Sequence, residues 1–202
     1  MSGTRQNILV AAGEVIADVG LEKVRMRMVA EHAGVSTGLL HYHFDNREKL
    51  FHAAMLHCFE HVAEADYVAD PPPGAPPATW RLARYIDVQL PTSAELDRFF
   101  RLWRELLSRA SHDEDSRLLT VELFRQLREW IAELIREGTA TGEFTAADPD
   151  RTADLVLALT EGYAERLVIE DPAVTFEAAR TDIWNVLRDR LGLKGDQPAR
   201  PL

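Results

Sequence analysis

Apolar residues recur at three- and four-residue intervals along almost the whole chain, and no long stretch alternates with period two. The pattern predicts an all-α protein of about nine helices. A first helix runs from Thr4 to Val19, with Ile8, Ala12, Val15, Ile16 and Val19 as its apolar stripe and Gly20 as its stop. Two short helices fit between Val24 and Phe44. A long helix starts after Asn46, a good N-cap, and buries Phe51, Met55, Cys58, Phe59 and Val62. The proline run from Pro71 to Pro77 can be neither helix nor sheet interior and reads as a loop. Beyond it, Leu82, Ala83, Ile86 and Leu90 mark a helix ended by Pro91. Leu96, Phe99, Phe100, Trp103, Leu106, Leu107 and Ala110 mark the next, and Leu119, Leu123, Leu127, Trp130, Ile131 and Leu134 one from about Asp115 to Thr139.

The last two segments, about 150–169 and 174–191, carry apolar residues on more than one side. In the first these are Leu155, Val156, Leu157, Leu159, Tyr163, Leu167 and Val168, and in the second Phe176, Ala179, Ile183, Trp184, Val186, Leu187 and Leu191. A helix apolar on two sides must bury both. A four-helix bundle formed across a two-fold axis by a second copy satisfies this, and so does a deeper core within one chain. Residues 193–202 read as a flexible tail.

Composition narrows the class. The 202 residues are 46% apolar and 28% charged, enough to bury a core. A single cysteine, Cys58, rules out an internal disulfide framework. No apolar run approaches a bilayer span, and Glu14 and Asp18 interrupt what would be the apolar part of a secretory signal, so a cytoplasmic protein is expected. The net charge is −10, yet residues 1–50 carry six basic and six acidic residues and sum to zero. All the excess negative charge lies in the body, so a polyanion would be met by the N-terminal part alone.

The N-terminal part also carries the informative motif. Ala30 is small enough for a second helix to cross above it. Gly34 sits where the chain turns sharply, Val35 fills the corner, and Ser36 can cap the next helix. Leu40 and Phe44 point back into a small core. This is a helix-turn-helix, whose second helix enters the DNA major groove. Thr37, Gly38, Leu39, His41, Tyr42 and His43 are left for its outward face, with Thr37, Gly38 and Leu39 the base-reading candidates beside the cap Ser36. Arg25 and Arg27 begin the preceding helix and Arg47 the following one, where they can clamp phosphates.

Ala30, Gly34-Val35-Ser36, Gly38, Leu40, Tyr42-His43-Phe44, Asn46, Glu48 and Leu50 together resemble the TetR family of transcriptional regulators over roughly residues 5 to 52. The resemblance implies a DNA-binding domain of three helices in residues 1–50 and a C-terminal helical domain, 51–192, that binds a small molecule and dimerises. It implies a near-palindromic double-stranded operator, an effector of unknown identity, and nucleoid association when DNA is bound. Two positions depart from the family pattern: His41 stands where an aromatic is common, and Arg47 where lysine is. Both can still donate to phosphate.

Other polar residues carry weaker readings. His57 and His61 have helical two-ligand spacing, but no third ligand is identifiable, so no metal or other cofactor is expected. No Glu-x-x-His pair, Gly-rich phosphate loop or serine-nucleophile motif appears, which argues against an enzyme. Cys58 reads as a small core residue. Phe99, Phe100, Trp103, Phe124, Trp130 and Tyr163 are either ordinary core or the walls of an apolar ligand pocket, with Arg104, Glu161 and Arg166 as possible polar contacts. The expected function is a ligand-responsive DNA-binding regulator, a repressor released from its operator by a small molecule. The alternative is an all-α dimeric carrier of a small molecule that no longer recognises DNA.

Overall fold

Nine α-helices and one 3-10 turn make up the regular structure among the described residues of the computed structural model, which are 2–62, 70–91, 94–145, 148–193 and 198. In chain order they are α1 (Ser2–Val19), a 3-10 turn (Leu21–Lys23), α2 (Met26–His32), α3 (Thr37–His43), α4 (Arg47–Val62) and α5 (Pro77–Val88). They continue with α6 (Ala94–Ala110), α7 (Glu114–Ala140), α8 (Pro149–Val168) and α9 (Phe176–Leu191). Every helix expected from periodicity is present, with ends displaced by a few residues. The largest shift is α5, which begins within the proline run because Pro77 suits the first helical turn. The side chains of Val62 and Leu96, assigned to apolar stripes above, lie outside the described residues.

The helices form two compact units, Met1–Ala63 with Asp97–Val121, and Glu64–Leu96 with Glu122–Leu202. Compactness thus groups α6 from Asp97 onward and the first turns of α7 with the N-terminal helices.

In the first unit α1 packs chiefly on α4. Ile8, Ala12 and Ile16 of α1 and Leu50, Phe51, Ala54 and Met55 of α4 are all buried. The two helices close tightly at Gly13, where a Cβ would lie 3.2 Å from Cys58 Sγ. Glu14 ties further elements to α1: one carboxylate oxygen accepts from Arg98 of α6 at 3.0 Å and the other meets the His32 ring of α2 at 2.8 Å. Cys58 is partly buried, in line with a packing role.

In the second unit α9 packs on α8 and α5. Glu143 accepts from the Ala78 and Thr79 amides at 3.2 and 2.8 Å, satisfying the start of α5. A buried ion pair joins α5 to α9: the Arg180 guanidinium donates through Nε and Nη2 to the two carboxylate oxygens of Asp87. Nη2 also donates to the Pro198 carbonyl at 2.8 Å. The segment read from sequence as a flexible tail is therefore held at the two places described, since Leu193 is buried as well. The remaining tail positions, 194–197 and 199–202, lie outside the described residues.

Removing one member of a buried ion pair strands the other charge, whereas replacing both with apolar groups removes the desolvation cost too. Asp87→Ala is expected to destabilise the chain by about 3–5 kcal/mol in urea titration, and Asp87→Leu with Arg180→Met by far less.

Candidate nucleic-acid interface

The corner between α2 and α3 follows from local chemistry. Gly34 adopts φ +66°, a left-handed conformation that costs a residue with a side chain about 1–2 kcal/mol. The Val35 amide then returns to the Ala30 carbonyl at 2.9 Å, closing the turn over the buried Ala30. Ser36 is extended and caps α3, its hydroxyl accepting from the Leu39 amide at 3.1 Å. Leu40 and Phe44 are buried and anchor the inner side of α3.

The outer side of α3 is open. Thr37, Gly38, Leu39 and His41 are exposed, Tyr42 is 73% exposed, and His43 is partly so. The Tyr42 and His43 rings meet edge to face at 5.3 Å, which orients Tyr42 without hiding its hydroxyl. Leu39 and Tyr42 are both left exposed to water on this side.

The surrounding cations divide into two kinds. Arg27 is 79% exposed and held only by a surface pair with Glu31 at 3.0 Å. Lys49 at the start of α4 is similar, 2.6 Å from Asp45. Surface pairs of this kind are worth about 0–1 kcal/mol, so a phosphate can displace the carboxylate. Lys49 was not singled out from sequence: the Asn46 cap places it in the first turn of α4, but its exposure and its pairing with Asp45 depend on the fold. Arg25 is exposed and donates to the Glu22 and Val24 carbonyls at 3.1 and 3.3 Å.

Arg47 differs. Its Nη1 donates to the Leu21 and Glu22 carbonyls at 3.0 and 3.1 Å, while Nε and Nη2 donate to Glu48. The guanidinium fastens the 3-10 turn to α4 and so positions α2; it is not held out as an open phosphate donor. Asn46 performs the expected capping, accepting from the Lys49 amide at 2.8 Å.

A polar contact ties α4 to the start of α7 within the same unit. His52 lies 2.9 Å from the Ser116 hydroxyl, and Ser116 is itself fully buried with its amide donating to Asp113 at 2.7 Å. Burial holds the His52 imidazole below its ordinary range, against the opposing pull of Asp113, Asp115 and Glu48.

The aromatic candidates for a ligand pocket are not gathered in one unit. Phe99, Phe100 and Trp103 belong to the first, with Phe100 and Trp103 buried and the Phe99 and Phe100 rings 5.4 Å apart. Phe124, Trp130 and Tyr163 belong to the second. There Trp130 lies 5.5 Å from the ring of the fully buried Tyr85, and Tyr163 donates to Asp182 at 2.8 Å on an exposed face. Tyr85 went unrecognised in the sequence because its position in α5 resembles any core residue. No group of three potential metal ligands occurs among the described residues.

Two family models match the chain: that of the TetR-family bacterial regulatory proteins over residues 8–54, and that of the C-terminal part of BetI-type transcriptional repressors over residues 78–192. The chain belongs to the TetR family of transcriptional regulators. It is 27% identical to the regulator BetI of Rhizobium meliloti, covering 97% of this chain and 94% of that protein. It is 28% identical to RutR of Escherichia coli strain K12, over 91% and 84% of the two chains. Among solved structures, a TetR-family regulator from Rhodococcus sp. superposes with a TM-score of 0.83 at 30% identity, covering 95% of this chain and all of the other. A regulator from Saccharomonospora viridis, in complex with choline, superposes with a TM-score of 0.78 at 24% identity over 95% and 98% of the two chains.

This TetR-family chain is accordingly a ligand-responsive, DNA-binding regulator of transcription and not an enzyme.

A lowered His52 value means that the folded chain binds fewer protons than the unfolded one, so the associated stability is complete above about pH 6.5 and is lost as pH falls through the folded-state value. His52→Gln is expected to flatten the dependence of the urea midpoint on pH below neutrality. An unchanged profile would show that His52 does not titrate with unfolding.

Proposed function

We infer that this regulator acts as a homodimeric repressor that sets α3 of each subunit into a major groove of a near-palindromic operator and is released by a small molecule. The observation that carries this reading is the division of α3 into a buried side, Leu40, and an exposed side from Thr37 to Tyr42. Thr37, Gly38 and Leu39 read bases, with Ser36 holding the helix start. Arg25, Arg27, His41, Tyr42 and His43 meet phosphates, joined by Lys49, while Arg47 acts through the position of α2. A two-fold pair of such helices spans half-sites about 34 Å apart, or a small multiple of that.

The dimer contact proposed is the second apolar side of α8 and α9. Leu155, Leu159, Tyr163 and Leu167 are only partly covered by their own chain and Val186 is exposed, while Val156, Ile183 and Leu187 fill the internal core. A small-molecule effector is supported by the choline in complex with the Saccharomonospora viridis protein of the same fold, and we assign it to the C-terminal helical part, residues 51–192. Within the second unit Trp130 lies beside Tyr85. Differential affinity of the effector for the two arrangements of the dimer would set the loss of operator binding. No helix among the described residues is long and apolar enough to cross a membrane, and we place the protein in the cytoplasm, on the nucleoid when DNA is bound.

Anisotropy titrations on the intergenic DNA upstream of the chain's own gene test the interface. Arg27→Ala is expected to weaken binding to all sequences alike and reduce the salt slope by about 1. Thr37→Ala should instead alter preference at one position by about 1–3 kcal/mol. Sequence-independent binding by the parent chain would favour the carrier reading. Leu159→Glu with Val186→Glu is expected to give monomers in sedimentation and to abolish tight operator binding; a persistent dimer would place the interface elsewhere.

A further inference from the structure

The first unit contains a concave cleft of about 560 Å³ lined by α1, the end of α3 and α4. Two contacts fix its direction. The Arg5 guanidinium lies over the Phe44 ring at 5.4 Å, just before α4 begins, and Gly13 approaches Cys58 further along both helices. Arg5 and His43 therefore mark the end nearest α3. Glu60, on the outer side of α4, lies further along it. Leu56, 37% exposed, forms most of the apolar wall, with Leu9, 3% exposed, at its base.

The polar groups here are not engaged as their neighbours are. Among the described residues, Arg5 stacks on Phe44 but makes no ion pair, and His57 and Glu60 have no hydrogen-bond or ion-pair partner. Arg27, Arg47 and Lys49 of the same unit are all paired. A volume of this order suits a small organic molecule. A permanent cation and an imidazole stand at one end and an apolar wall beside them. A carboxylate at the far end disfavours a second negative charge.

We propose that this cleft is a second ligand site, taking a small organic monoanion whose carboxylate meets Arg5 and His43 and whose apolar body lies on Leu9 and Leu56. His43 touches Tyr42 on α3, so an occupant withdraws donors from the DNA backbone and competes with the operator directly. The competition rests on the reading of α3 as the DNA-binding helix; the site itself does not.

The test uses benzoate and the full-length chain, with chloride added to hold ionic strength constant. Without DNA, benzoate should shift the His43 and His57 ring resonances saturably. Leu56→Glu, which adds bulk and like charge, should abolish the shift. Glu60→Gln, a surface change that leaves the wall intact, should tighten binding roughly twofold, as removing one like charge about 10 Å away in water would. With operator present, apparent affinity should fall by 1 + [benzoate]/Kd, about twofold at half-saturation. No saturable shift, or full binding by Leu56→Glu, would overturn the site. Saturable binding with unchanged operator affinity would overturn the competition. Failure of the parent chain to bind any operator, with benzoate still bound, would instead overturn the reading of α3.

Discussion

One backbone conformation supports the exposed side of α3: the left-handed turn at Gly34. It lets the Val35 amide reach the Ala30 carbonyl, and that bond directs the chain so that Ser36 can cap α3. With the cap in place, Leu40 and Phe44 face inward and Thr37, Leu39 and Tyr42 face water. A side chain at position 34 meets no steric neighbour within 4 Å, so the constraint there is purely that of φ. The exposure of α3 thus follows from a few local bonds together with the burial of Leu40 and Phe44.

Electrostatics in the same unit follow a consistent logic. The first fifty residues carry no net charge, and the exposed cations beside α3 are held by weak surface carboxylate pairs. Such pairs keep Arg27 and Lys49 ordered without binding them tightly, and a polyanion can replace the carboxylates with little loss. Arg47 is built for another purpose, fastening the Leu21–Lys23 turn to α4 with two carbonyl bonds. Through His52 and Ser116 the same helix is tied to the start of α7, whose later turns belong to the second unit. α4 therefore carries bonds to both the Leu21–Lys23 turn and the start of α7.

Much of this was legible in the sequence, because it depends on local rules. Helical periodicity located all nine described helices, and Gly34, Ser36 and Asn46 each behave as their chemistry requires. What depends on distant residues was not legible. Arg47 has the position of a phosphate donor in sequence, but its partners at Leu21 and Glu22 lie a whole helix-turn-helix away. The Asp87–Arg180 pair joins residues that no local pattern connects, and Tyr85 has the spacing of any buried aromatic. The six aromatic candidates for a pocket follow helical spacing equally well, and periodicity could not assign three to each unit.

The most direct test of the account places strain at the corner while leaving the cores intact. Gly34→Val forces a β-branched residue into the left-handed region, and its operator affinity and urea stability would be measured side by side. The account predicts a folded chain, destabilised by about 1–2 kcal/mol, whose sequence-specific binding is lost far beyond that figure. A folded Gly34→Val chain that binds its operator like the parent would contradict it.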